Sequence, residues 1–168
     1  MTNNNPNKLI RNTNNLLPWH QPKIIRWSQI MAKSYQQLLN QSLVKPTNTP
    51  EQLAEALFYA PFVLVSHGTQ ANPIFNYGNQ TALQLWSLSW EQFIQTPSAS
   101  TTESTEQADR EAMLRQAANQ GYIDNYQGIR IAHTGKRFAI KQVKLWNLTD
   151  ELGQNCGQAA TFAHWTWL

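Results

Sequence analysis

The side chains able to do chemistry are few and scattered. Four histidines (His20, His67, His133 and His164) and one cysteine, Cys156, stand at spacings that match no zinc pattern such as CxxC or HxxxH. The sequence holds no Ser-His-Asp set, phosphate-binding glycine loop, GxGxxG or HExxH helix. Asp150 and Glu151 are adjacent in a turn, a setting for solvation rather than acid–base work. A reactive thiol needs an electropositive, accessible environment, and the charges nearest Cys156 in sequence are those two acids, so a structural role is expected. No catalytic residue and no metal ligand is assigned.

The chain does offer side chains suited to holding a small molecule. His67 ends the apolar run FVLVSH. The segment DNYQGIR is the most polar part of an expected strand, so Asn125, Tyr126 and Arg130 can line a pocket and anchor a polar group; a surface pair of Asp124 with Arg130 is the plainer alternative. Phe75, Tyr77, Asn79, Trp86, Trp146 and His164 complete the candidate ligand contacts. Trp86, Trp90, Trp146 and Trp165 either frame an aromatic cavity or fill the core, where each ring buries roughly 150–250 Å². His164 shares its alternation face with Phe162, while His133, in a glycine turn, and His20, beside the N-terminal tail, are expected in solvent.

These residues need elements to hold them. With 168 residues, 41% hydrophobic, the chain suits one domain with extensions. Residues 1–20, with seven Asn, are expected to be a disordered tail, 21–60 a helical extension, and 61–168 the main domain. In PKIIRWSQIMAKSYQQLLNQSLV, the residues Ile24, Trp27, Met31, Tyr35 and Leu38 fall on one helical face. That face needs a partner, either the chain's own core, a second copy in a homodimer, or a membrane surface. A second helix follows Thr49, with Pro50 at its first position and Gln52 closing a capping box.

Beyond it, FVLVSH and IFNY read as strands. Gly78 can take positive φ and Asn79 can cap a helix, so the chain turns sharply from sheet to QTALQLWSL; Leu83 and Trp86 then land over the sheet. Ser89 opens another short helix, and 106–119 form a longer one ending before Gly121. The remainder is strands: YIDNYQGIRIA, RFAIKQVKLWNL and CGQAATFAHWTWL, joined by short turns in an antiparallel meander. Strict alternation puts Phe138, Ile140, Gln142, Lys144 and Trp146 on one face of the middle strand. Placing the last strand beside the first yields an α+β fold, a five-stranded antiparallel sheet with helices on one face.

That order resembles the PAS domain plan, and the stretches IFNYGNQTALQLWSLSWEQF and HTGKRFAIKQVKLWNLTDELGQNCGQAATFAHW resemble its two halves. More specifically, FVLVSHGT, NPIFNYGNQTALQLW, GYIDNYQGIRIAHTGKRF, WNL and GQAATFAHW resemble the MEKHLA domain family, a PAS-like group. The family occurs as stand-alone proteins in cyanobacteria and other bacteria, and at the C-terminus of plant class III homeodomain–leucine-zipper transcription factors. The resemblance implies a PAS-like sensor or regulatory module of the stand-alone cyanobacterial type, and brings no established catalytic residues. Flavin-binding PAS domains place a Cys in a helical Asn-Cys-Arg motif, whereas NCG here lies in a strand turn. Haem-binding ones place a His on the helix before the third strand, and 105–120 contains none. The cofactor therefore stays unassigned.

Charge narrows the partners. Residues 1–45 carry six basic and no acidic side chains, and 46–168 carry seven basic against ten acidic. The acidic balance of the domain disfavours direct nucleic-acid binding. No apolar run is long enough for a membrane span, and the N-terminus has no secretory apolar core; with one cysteine, a cytoplasmic setting is expected. Three functions stay open at this level: a regulatory module for a small ligand or protein partner, a homodimerisation scaffold using the face of Ile24 to Leu38, and a small lyase- or isomerase-type enzyme.

Overall fold

A computed structural model describes residues 17–103 and 107–168. The expected tail falls largely outside that range, as does the expected start of the fifth helix at 106. A short 3-10 turn, Pro18–His20, leads into α1 (Pro22–Leu39), which runs to a left-handed Asn40. Helix α2 (Pro50–Phe58) starts under Thr49, whose side chain accepts from the Gln52 N–H at 3.2 Å. The Gln52 side chain closes the turn one residue earlier than a capping box would, accepting from Asn48 N–H at 3.0 Å. Strands β1 (Val63–His67) and β2 (Phe75–Gly78) precede α3 (Gln80–Trp86) and α4 (Trp90–Phe93). The Ser89–Gln92 capping box of α4 is complete. A 3-10 turn, Ser98–Thr101, and α5 (Gln107–Gln120) lead to β3 (Tyr122–Ile131), β4 (Arg137–Thr149), β5 (Asn155–Phe162) and β6 (His164–Trp167).

The strands make one antiparallel sheet in the order β2-β1-β5-β4-β3, with β6 also on β4. The late strand β5 does lie beside β1, pairing Val63 with Phe162 through His67 with Gln158. The sheet has six strands rather than five because the expected last strand breaks at Ala163. Its second piece keeps the register of the first: Lys144 faces Thr161 across β4 and β5, and Lys141 faces His164 across β4 and β6.

That break belongs to a crease running across three strands. On β3 one extra residue lies between the pairs Ile123–Leu145 and Tyr126–Val143, and on β4 one lies between Val143 and Ile140. The residues that absorb the excess, Asn125 and Gln142, have φ of 60° and 53°, left-handed conformations uncommon outside glycine. A one-residue bulge flips every side chain beyond it to the other face. Phe138 and Ile140 therefore share a face with Val143 and Leu145, and Trp146 and Leu148 turn to the opposite one. This corrects the strict alternation expected for β4. It also corrects His164: across Ala163, Trp165 joins Phe162, at 6.2 Å between ring centroids, and His164 points into solvent.

Both faces of the sheet are covered. On one, α3, α4 and α5 pack over Val63, Val65, Phe138, Ile140, Val143, Leu145 and Phe162; on α3 the buried residues are Ala82, Leu85 and Trp86, with Leu83 only partly buried. On the other, α1 and α2 pack over Leu64, Tyr77, Trp146 and Leu148. The apolar stripe of α1 thus finds its partner inside the chain. Ile24, Met31 and Tyr35 are buried, and Trp27 and Leu38 are partly buried against the same cluster. Polar bonds fix the helix in place. Trp27 Nε1 donates to Ser66 Oγ at 2.8 Å, Trp146 Nε1 to Met31 O at 3.2 Å, and Thr149 N to Ser34 Oγ at 3.0 Å. Arg26 grips Glu151 in the β4–β5 turn through two hydrogen bonds, which hold the carboxyl below its usual range.

Asn79 joins α2, β1 and α3. Its Oδ1 accepts from Leu64 N–H and Ala82 N–H, both at 3.1 Å, and its Nδ2 donates to Leu57 O at 3.1 Å and Phe62 O at 2.8 Å. The side chain is wholly buried. Removing it strands two carbonyls and two N–H groups away from water, at about 1–3 kcal/mol for each group left unmatched before relaxation. Asn79→Ala is expected to lower unfolding free energy by about 3–5 kcal/mol in a urea titration; a loss below about 1 kcal/mol would remove Asn79 from this structural role.

Candidate functional site

Between the sheet and α5 lies a cavity of about 70 Å³. Its floor is Val65, Ile140, Val143, Leu145 and Phe162, its roof Met113 and Leu114 from α5, and one wall is Trp86. Polar groups enter from the rim: Ser98 and Thr101 from the 3-10 turn, His67, Tyr126, Arg130 and Arg110. Helix α5 is held over the sheet by Gln158, whose Nε2 donates to Leu114 O at 3.0 Å, and by Asn147, whose Nδ2 donates to Ala118 O at 3.0 Å.

Two arginines dominate the electrostatics. Arg110 on α5 is 8% exposed and Arg130 on β3 is 9% exposed. Arg110 Nη2 donates to Ser98 Oγ. Arg130 Nη1 donates to its neighbour's carbonyl, Ile129 O, at 2.9 Å and Nη2 to the Tyr126 hydroxyl at 3.2 Å, and its guanidinium lies 5.5 Å from the Tyr126 ring centroid. Neither forms an ion pair with a carboxylate among the described residues; Glu103 pairs with Arg137 and Glu151 with Arg26. Burial, and then the Arg130 charge, pull Arg110 down to about 10.

Gly128 makes the Tyr126–Arg130 contact possible. All three residues point to the same face, since Tyr126, Gly128 and Arg130 pair with Val143, Ile140 and Phe138. A Cβ at 128 would stand 2.6 Å from the Tyr126 hydroxyl and 2.9 Å from Arg130 Nη1.

His67 closes the β1 end of the cavity. Its Nδ1 lies 2.7 Å from Gly68 O. A carbonyl only accepts, so Nδ1 carries the proton and, in the neutral ring, Nε2 is a bare acceptor. Burial lowers the His67 pKa, against the Gly68 hydrogen bond and with a further push from Arg110. The indole N–H of Trp86, a residue 2% exposed, has no hydrogen-bond partner among the described residues.

The expected ligand contacts divide into two groups. His67, Phe75, Trp86, Tyr126 and Arg130 gather around this cavity. The others do not. Tyr77 and Trp146 pack under α1 and α2, Trp146 because of the bulge at Gln142. Asn79 has every hydrogen-bonding position filled by backbone. Asn125 and His164 line a separate open groove along the crease with Asp124, Gln142 and Lys144. Asp124 is therefore not beside Arg130 in this cavity. Cys156 packs against the α1 cluster, its Sγ donating to Leu148 O at 3.5 Å, and burial pushes the thiol pKa up.

Sequence reasoning missed Arg110, Ser98 and Gln158. Arg110 had a signal: it precedes Met113, Leu114 and Ala117 at three, four and seven positions, so it occupies an apolar-stripe position of α5. Ser98 and Gln158 had none, because only tertiary packing brings them to the rim.

With the fold and cavity in view, comparisons place the chain among known proteins. The model of the MEKHLA domain family matches residues 25–167. Among solved structures, the PAS domain of a protein from Colwellia psychrerythraea is similar at 20% identity with a TM-score of 0.58, over 66% of this chain and 92% of that one. A light-oxygen-voltage domain with a flavin analogue is similar at 14% identity and TM-score 0.55, over 70% of this chain and 84% of that one. A PAS domain from a two-component sensor histidine kinase is similar at 15% identity and TM-score 0.50, over 68% and 91%. Among curated proteins no sequence matches the chain. These likenesses establish a PAS fold. No helix among the described residues is long and apolar enough to cross a membrane.

Two outcomes test the cavity geometry. Because the native state holds His67 below 6.5, the unfolded chain takes up its proton first as pH falls, and stability drops as pH goes below about 6.5 until the native His67 titrates as well. His67→Gln is expected to flatten that part of a stability–pH profile; an unchanged slope would refute the assignment. Gly128→Ala is expected to cost about 1–3 kcal/mol by driving the Tyr126 ring off Arg130, read by thermal unfolding and by loss of the native Tyr126 ring shifts in NMR.

Proposed function

This chain belongs to the MEKHLA domain family, and on that premise we propose that it is a PAS-fold regulatory module of the cytoplasm that takes a small molecule into the α5–sheet cavity and reports occupancy to a protein partner. The observation that carries this reading is the cavity itself: apolar floor and roof, with Arg110, Arg130, Tyr126 and His67 converging at the rim. An apolar pocket with a few convergent polar groups is the usual form of a small-ligand site. Helix α5 is the element through which occupancy would be felt, since it supplies both the roof and Arg110.

The rival scaffold function relied on the apolar face of α1. Ile24, Met31 and Tyr35 are buried against the chain's own sheet, and Trp27 and Leu38 are partly buried there, so the α1 face favours the regulatory reading over the scaffold. Flavin–thiol chemistry of the light-oxygen-voltage kind fits poorly here, because Cys156 packs on the opposite side of the sheet from the cavity. The proposal calls for no catalytic step. His67 Nδ1 is engaged with Gly68, and Asp124 lies in the crease groove with His164 instead.

Native mass spectrometry of the protein purified without denaturation is expected to show a non-covalent small-molecule adduct. Val143→Phe, which fills the cavity at about 1–3 kcal/mol of overpacking, is expected to abolish it. A bare wild-type mass, together with no thermal stabilisation across a library of small metabolites, would sink the sensor function.

A further inference from the structure

We propose that the cavity selects a small organic carboxylate: an apolar body against the α5–sheet walls, with its anionic end held by Arg110 and Arg130 together. The inference rests on the ligand-binding function above and names the chemical class of the ligand.

Two like charges, Arg110 and Arg130, are buried at the rim. Each guanidinium offers five N–H donors. Within the described residues the Arg110 side chain donates only to Ser98 Oγ, and Arg130 only to Ile129 O and the Tyr126 hydroxyl. All three acceptors are neutral. Two cations drawn from water without a carboxylate leave a positive potential in a medium of low dielectric. An anion placed between them is attracted by both and satisfies donors that have no partner among the described residues. Planar guanidinium and planar carboxylate match in a bidentate geometry.

The remaining lining defines the rest of the molecule. The groups that meet an occupant beyond the rim are mainly hydrocarbon, from Met113, Ile140, Val143 and Phe162. Trp86 lines the cavity too, and its indole N–H is a further donor without a partner among the described residues. A hydrated polyanion such as inorganic phosphate would leave those walls unfilled, whereas a short alkyl group would fill them. The enclosed volume of about 70 Å³ is roughly half the ~150 Å³ of an apolar cavity that accommodates benzene. The occupant is accordingly short.

The test uses the full-length protein in isothermal titration and thermal unfolding. The probes are propanoate and butanoate, their neutral counterparts propanamide and butanamide, and inorganic phosphate. At least one carboxylate is expected to bind ten-fold or more tightly than its amide, with no binding of phosphate. Arg110→Gln and Arg130→Gln are each expected to remove that preference. The Trp86 indole N–H resonance is expected to shift on carboxylate addition and to remain in place with phosphate. Equal binding of acid and amide overturns the carboxylate assignment and leaves the ligand-binding function standing, as does tighter binding of phosphate. No binding by any probe overturns the carboxylate assignment, and the native mass spectrum then decides the broader function separately. Since the acid–amide comparison is made on the wild-type protein, the proposal stays testable even if an arginine variant fails to fold.

Discussion

The carboxamide of Asn79 has two donors and two acceptor positions, and all four are filled from different parts of the chain: the end of α2, the start of β1 and the first turn of α3. A buried amide with no spare capacity tolerates only one relative placement of those segments, because shifting any of them orphans a polar group. The Asn79 N–H adds a further bond to Leu64 O at 3.0 Å, and Thr81 Oγ1 reaches Ala60 O at 2.7 Å just beyond. Once α3 is aimed by this junction, Trp86 is carried over the sheet, where its ring meets Phe138 at 5.2 Å and Phe162 at 6.3 Å. The aromatic wall of the cavity is therefore a downstream result of one side chain that lies outside the cavity.

Much of this was legible in the sequence, because local chemistry decides it. The caps at Thr49, Asn79 and Ser89, the amphipathic stripe of α1 and the turns around Gly121 and Gly135 use short-range preferences that the native structure obeys. The pairing of β5 with β1 followed from the need to give the early strands partners. The crease was not legible. Its left-handed residues are Asn125 and Gln142, and a glutamine at φ 53° leaves no mark in the sequence. That one bulge accounts for the misplacement of Trp146, and the matching bend at Ala163 accounts for His164. Arg110 was legible in principle, since it stands at an apolar-stripe position of α5 three, four and seven residues before Met113, Leu114 and Ala117.

The two sides of the sheet have opposite character. Under α1 and α2 the buried polar groups are neutral, and several are matched: Trp27 with Ser66, Ser66 with Asn76 at 2.6 Å, Trp146 with Met31; the Trp19 indole N–H and the Tyr77 hydroxyl have no partner among the described residues. Under α5 two of the polar groups are cations, and with them around a gap stand a His67 imidazole with a lowered pKa and the Trp86 indole N–H, which has no partner among the described residues. Matched networks rigidify, and under-matched ones carry a cost that an occupant can relieve. The sheet separates a side whose buried polar groups carry no charge from one with two buried cations around a gap, and β1 and β4 contribute side chains to both.

The cover provided by α1 also bears on how the domain can be cut. The fold neighbours overlap only about two thirds of this chain, which invites trimming back to the strands. A fragment beginning at β1 would bare Leu64, Tyr77, Trp146 and Leu148 in one contiguous oily patch. Self-association of such a fragment would then be an artefact of the truncation, with no bearing on the assembly state of the intact polypeptide.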